Sequence, residues 1–204
     1  MELRSCAFAR VCALTRVQSM AAEVPPALVA WLEQQPTEAF VAGTTLVQPG
    51  AEPTHVWFLH SGLVRVFSID RNGAEFNHDF VGAGGWVFGR VAWRDGAVCC
   101  AERAIGAVAL RPTRAVRVPV SVLQDWREGA PEITAWLMDA LVQLAGTRYG
   151  READLVQRSA EDRYRELVAN QPQLLEQVPL REVAAWLGIT PVALSRIRRR
   201  LRSG

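Results

Sequence analysis

The sequence predicts an α+β chain: an N-terminal antiparallel roll of short strands, one long connecting helix and an all-helical C-terminal module. Three observations carry this prediction. Short β-rich runs broken by turn residues fill positions 40–120, and a helical texture replaces them after Val120. An unbroken helical pattern then runs from Pro131 to about Gln157. Finally, Val178 to Leu201 reads as two helices joined by a sharp turn at Gly188. The expected divisions are an extension over 1–20, the roll over 21–130, the long helix over 131–158 and the terminal helical domain over 159–204.

Half of the 204 residues are apolar, enough to bury a core, and no apolar run reaches the roughly 18 residues of a membrane span. Met1 to Met20 has arginines but no uninterrupted apolar stretch, so a secretory signal is not expected and a cytoplasmic location is. Met20-Ala-Ala-Glu-Val-Pro-Pro reads as a natural start, with the preceding residues a loose extension or a start assigned too early. All 23 basic residues are arginine, which fits genomic base composition, so arginine abundance alone carries no function. Their distribution does carry information, because no acid lies between Gly188 and Gly204 while Arg196, Arg198, Arg199, Arg200 and Arg202 cluster there. Cys6, Cys12, Cys99 and Cys100 lack zinc-ligand spacing and read as ordinary thiols, the last two on opposite faces if they share a strand.

A short helix is expected from Pro26 to about Gln35, with Leu28 and Leu32 one turn apart. Strands are expected at Thr44–Val47, Val56–Leu59, Leu63–Ile69, Phe76–Val81, Ala104–Leu110 and Ala115–Val118. Turn signals at Pro49-Gly50, Ser61-Gly62, Asp70-Arg71-Asn72-Gly73 and Gly82-Ala83-Gly84-Gly85 separate them, and Asn72-Gly73 is the strongest hairpin signal. Val120 to Arg127 forms a short helix that Gly129-Ala130-Pro131 stops, and Pro131 suits the first position of the next helix. Along that helix Ile133, Leu137, Ala140 or Leu141, Leu144 and Thr147 make one apolar seam, for the roll or for a second copy of the chain. The length of the helix favours pairing. Ser159 reads as an N-cap, with Tyr164, Leu167 and Val168 on one face of the helix that Asn170-Gln171-Pro172 closes.

Two helices follow, about Leu180–Leu187 and Thr190–Arg202. Leu180, Val183, Ala184 and Leu187 form the inner face of the first, and Ile189 plugs the space between the two. Thr190 caps the second and Pro191 occupies its first turn. Leu194, Ile197 and Leu201 face inward, leaving Val192, Ser195, Arg196, Arg199 and Arg200 outside. Arginine can donate twice to the O6 and N7 of guanine, and the start of such a helix enters the major groove of duplex DNA. Arg196 is therefore the expected base reader, with Val192 and Ser195 at base edges. Thr190, Arg198, Arg199, Arg200 and Arg202 are the expected phosphate contacts.

From about residue 26 to 202 the chain resembles the Crp/Fnr family of transcription regulators. In the roll the resemblance rests on Pro49-Gly50, Ser61-Gly-Leu-Val-Arg-Val66, Asn72-Gly73 and Gly85-Trp-Val-Phe-Gly89. Beyond it, Ser159-Ala-Glu-Asp-Arg-Tyr164 and Leu187-Gly-Ile-Thr-Pro-Val-Ala-Leu-Ser-Arg-Ile-Arg198 are similar to members that stop after the recognition helix and lack a β-hairpin wing. The resemblance implies a cyclic-nucleotide-binding-type jelly roll (a double-stranded β-helix), homodimers joined along the long helix, duplex DNA and RNA polymerase as partners, and no membrane. Members that bind cyclic AMP or GMP carry Gly-Glu and then Arg-Ser or Arg-Thr. Here the first pair is Gly89-Arg90 and the best match to the second is Arg103-Ala104. Arg90 cannot accept a hydrogen bond from a ribose hydroxyl, so a standard cyclic AMP or GMP response is not expected and no cofactor is assigned. A different anion between Arg90 and Arg103, or an empty structural roll, stays open. Iron–sulfur and haem effectors fit poorly, since the cysteines lack their spacing and His55, His60 and His78 fall in or beside strands.

Two other functions compete. A metalloenzyme of the cupin type needs a convergent set of His and carboxylates, which the spacing does not supply, so neither enzyme activity nor a metal is expected. A ligand-sensing or protein-interaction roll with degenerate DNA reading is motivated by Val192, where close relatives often carry a Glu.

Overall fold

The computed structural model describes residues 24–52, 54–88, 91–94, 97–100 and 105–202. The expectations for residues 1–20, Cys6 and Cys12 lie outside the described residues, as do those for Gly89, Arg90, Arg103 and Ala104.

Among the described residues, helix α1 (Pro26–Gln34) leads into ten strands: β1 (Thr37–Phe40), β2 (Thr45–Val47), β3 (His55–Ser61), β4 (Leu63–Ile69), β5 (Glu75–Gly82), β6 (Trp86–Val87), β7 (Val91–Arg94), β8 (Ala97–Cys100), β9 (Ile105–Ala109) and β10 (Thr113–Pro119). Six helices follow: α2 (Val120–Gly129), α3 (Pro131–Gln157), α4 (Ala160–Asn170), α5 (Pro172–Gln177), α6 (Leu180–Trp186) and α7 (Pro191–Arg202). The strands form two antiparallel four-stranded sheets, in the orders β1-β10-β3-β6 and β2-β9-β4-β5, with β7 and β8 as a separate hairpin. This is the jelly-roll architecture. Residues 99 and 100 do share a strand.

Three cores explain the sequence texture. Between the sheets lie Trp57, Leu59, Val64, Val66, Val81 and Ala107, with the Trp57 indole donating to the Leu46 carbonyl at 3.1 Å. On the outer face of the first sheet, Val56, Phe58, Val116 and Val118 meet Leu28 and Leu32 of α1, Leu123 and Trp126 of α2, and Ile133 and Trp136 of α3. Because β3 is buried on both faces, it reads as a continuous apolar run instead of alternating. On the outer face of the second sheet, Leu63 and Phe80 join the side chains of α4–α7 in one cluster. The roll and the terminal helices therefore share a core.

Gly62 joins β3 to β4 at φ 100°, and a Cβ there would lie 2.4 Å from Thr113 Oγ1 and 2.6 Å from the Pro112 carbonyl. Only glycine fits. At the β4–β5 turn Gly73 takes φ 83°, and the Asp70 carboxylate accepts from the Asn72 and Ala74 amides, each at 2.8 Å. The β4–β5 register slips at Val66/Phe67, which pair with Asp79 and Asn77, so His78 is the extra residue of a bulge. That bulge faces the junction with the helices.

The long helix runs over the expected span, but its faces divide differently from the expected seam. Ile133 is buried on the roll and Leu137 packs beside it, as does Trp136, which the seam omits. Met138, Val142, Ala145, Tyr149 and Val156 lie exposed on another face of the same helix, at steps of four, three, four and seven. A seam one position later than expected is thus the one left open. Helix α5, with Leu174 fully buried, was not expected at all.

Candidate nucleic-acid interface

Helices α6 and α7 form the terminal pair. Val183, Ala184 and Leu187 are buried as expected, whereas Leu180 is not: at 40% exposure it sits on the first turn, beyond the shared core. Gly188 makes the turn at φ 69°, and the Ile189 amide donates to the Ala184 carbonyl at 3.0 Å. The Thr190 hydroxyl accepts from the Ala193 amide at 3.2 Å, which caps α7 and satisfies one of its free N–H groups. Pro191 begins the helix. Leu194 and Ile197 are buried, and Leu201 packs against them.

The other face of α7 is open. Ser195, Arg196, Arg199, Arg200 and Arg202 are exposed, Arg198 is half-buried and Val192 is 61% exposed. Arg200 is ion-paired with Glu161 at 2.7 Å, and Glu161 also holds Arg165 at 2.6 Å. Five guanidinium groups and one small hydroxyl along a single helix form a surface suited to a polyanion.

Buried polar ties, none of them anticipated from the sequence, hold α6 against the roll. The Asn77 side-chain amide donates to the Glu182 carbonyl at 2.9 Å and to its carboxylate at 3.0 Å. Arg65 stands 3.3 Å from the same carboxylate, while also bridging to Glu75 and donating to Asn77 Oδ1 at 3.1 Å. Arg151 of α3 donates to the carbonyls of Asn77 at 2.7 Å and Trp186 at 2.5 Å, with its guanidinium 4.9 Å from both the Phe76 and Trp186 rings. Burial pushes its pKa down to about 10. Arg163 donates to the carbonyls of Asp154, Leu155 and Arg158 at the end of α3 and to that of Leu187 at the end of α6. Both guanidinium groups therefore face helix C-termini, where the dipole favours a cation. Asn77 and Glu182 are 105 residues apart, and no local pattern marks them as partners.

Ser159 caps α4 as expected, accepting from the Asp162 amide at 3.1 Å. His55 contacts Thr54 and Arg117, and His78 contacts Ser68 at 2.8 Å. Burial, reinforced by Arg117, lowers the His55 pKa. Among the described residues no three metal-ligating side chains converge, and no helix is long and apolar enough to cross a membrane.

Residues 37–128 match the family model described as the cyclic nucleotide-binding domain. No curated protein sequence matches the chain. Solved structures do. CooA from Carboxydothermus hydrogenoformans (a double mutant) aligns with a TM-score of 0.67 at 17% identity, covering 93% of this chain and 86% of that one. FixK2 from Bradyrhizobium japonicum aligns at 0.66 and 16%, covering 83% and 85%. CLP from Xanthomonas campestris, described as a c-di-GMP-responsive global regulator, aligns at 0.66 and 16%, covering 86% and 90%.

Proposed function

We propose that this chain, which joins a cyclic-nucleotide-binding-type roll to terminal helices in the fold of Crp/Fnr regulators, is a sequence-specific DNA-binding transcription regulator that acts as a homodimer. The open arginine face of the capped helix α7 carries this reading. Arg196, in the second turn of α7, reads guanine, Ser195 touches a neighbouring edge, and Val192 meets a thymine methyl, an apolar contact that its exposure permits. Thr190, Arg198, Arg199 and Arg202 bind phosphates and set the register. Arg200 adds to them once a phosphate competes with Glu161 for it.

Dimerisation is supported by the open seam on α3. Val142 at 66%, Tyr149 at 73% and Val156 at 87% exposure repeat with heptad spacing along a helix whose Ile133 and Trp136 are buried on the roll. Two copies joined there present two α7 helices to a roughly palindromic site. RNA polymerase is the partner through which such a regulator acts, and the reading includes no catalysis. In the roll, Arg90 offers only donors where a ribose hydroxyl needs an acceptor, so standard cyclic AMP or GMP control is not part of the proposal.

Anisotropy titration of a labelled random-sequence duplex at rising salt tests the interface. Affinity is expected to fall steeply with salt, and Arg202→Ala to reduce the logarithmic slope by about one. Binding that ignores salt, or a slope unchanged by the substitution, contradicts the assignment.

A further inference from the structure

A cavity of about 320 Å³ lies where β5, the second half of α3 and helices α4–α6 meet. That size falls at the lower end of small-molecule pockets. Its apolar walls come from Phe80, Leu155, Leu167, Leu174 and Trp186. Three guanidinium groups, those of Arg148, Arg151 and Arg163, line it as well.

Two features have no account in the packing of the chain alone. Arg151 and Arg163 direct their terminal nitrogens to backbone carbonyls, yet the Nε–H of each is buried without a partner. Buried donors are ordinarily paired. The second feature is Gly146 and Gly150, which both line the cavity from within α3. Glycine is disfavoured inside helices relative to alanine. A Cβ at either position would meet nothing within 4 Å, so no neighbour in the chain excludes a side chain there. What the two glycines provide is bare backbone and open space along one wall.

The charge of the cavity is lopsided. Asp154 and Glu166 share the one guanidinium of Arg158, so with Arg148, Arg151 and Arg163 the cations around the cavity outnumber Asp79, Asp154 and Glu166 by four to three. Asp79 is half-buried at the wall, where burial raises its pKa in spite of Arg148 and Arg151.

We propose that this cavity is a binding site for a small amphipathic organic anion, its apolar body against Phe80, Leu174 and Trp186 and its charged head toward Arg148 and Arg151. It is separate from the roll interior between the two sheets, which is filled by side chains such as Trp57, Val64 and Val81. Its walls belong to the roll, to α3 and to α4–α6, so an occupant touches the elements that carry α7.

Titration of the full-length protein with 8-anilinonaphthalene-1-sulfonate, followed by its fluorescence, tests this without DNA, so the result stands apart from the DNA-binding reading. Saturable binding at one site per chain is expected, with N-phenyl-1-naphthylamine, the same aromatic body without the sulfonate, binding at least about tenfold more weakly. Gly150→Leu fills the cavity and is expected to weaken sulfonate binding by at least about tenfold while thermal unfolding stays cooperative. Arg148→Gln at the rim is expected to weaken it severalfold. Should Gly150→Leu fail to fold, the comparison of the two probes on the unaltered protein and the Arg148→Gln titration decide. Equal binding of charged and neutral probes, or sulfonate binding undiminished in the folded variants, overturns the site.

Discussion

The Trp186 carbonyl, at the last residue of α6, accepts from Arg151, while the neighbouring Leu187 carbonyl accepts from Arg163. In this way residues of α3 and α4 fix the turn from which α7 departs. Arginine suits the task because one guanidinium can serve carbonyls of several elements at once. With no lysine in the chain, arginine count gave no means of separating these two from surface arginines. Burial opposes the charged state of Asp79. A carboxyl whose pKa is higher in the folded than in the unfolded protein holds its proton more tightly when folded. Its burden is absent below the ordinary value of 3.8 and grows as pH rises toward the raised one. Asp79→Asn, whose amide oxygen can still accept from the Phe80 amide, should therefore melt above the unaltered protein at pH 7. That gap should narrow as the pH falls toward 4. A gap that is constant with pH, or reversed, shows that the carboxyl is not the cause.

Among elements, those with their own punctuation were legible in the sequence. Pro131 starts α3, Ser159 caps α4, Gly188 ends α6 and Thr190 caps α7, each through a local bond or a fixed φ. Strand β4 was read to its ends because the turn residues Gly62 and Asp70 flank it. Strand β1 was missed because Thr37-Glu38-Ala39-Phe40 is a half-exposed edge strand with no apolar run. Helix α5 was missed because its six residues are too few for periodicity to show. The contact between β5 and α6 is the element-level feature on which the position of α7 depends. Asn77→Ala removes its central donor, the side-chain amide that bonds both the carbonyl and the carboxylate of Glu182, at a cost of about 1–3 kcal/mol. Amide exchange in α6 should accelerate by about tenfold or more, while that of β3 stays unchanged. Equal rates in α6 before and after the change would show that Asn77 does not hold the helix.

At the scale of the whole molecule, the helix that carries the exposed seam and the turn that leads into α7 meet at the junction that Arg151 and Arg163 stitch together. The candidate DNA surface was legible because periodicity alone separates Leu194 and Ile197 from Ser195 and Arg196 on a capped helix. The exposed seam was legible only as a property of the helix, since which of its seams the roll covers depends on Trp136 and Ile133 packing across the fold. Tyr149→Asp places a charge at the centre of the open seam without touching the monomer core. Light scattering should show a dimer for the unaltered protein and a folded monomer for the variant; a monomer in both cases removes α3 as the interface. The central claim is that two α7 helices read two half-sites, and selection of tightly bound duplexes from a random pool tests it most directly. The expected outcome is an inverted repeat whose half-sites lie about one helical turn apart, with one guanine position losing its preference in Arg196→Ala. A pool that stays random, or an identical motif selected by Arg196→Ala, would contradict the account.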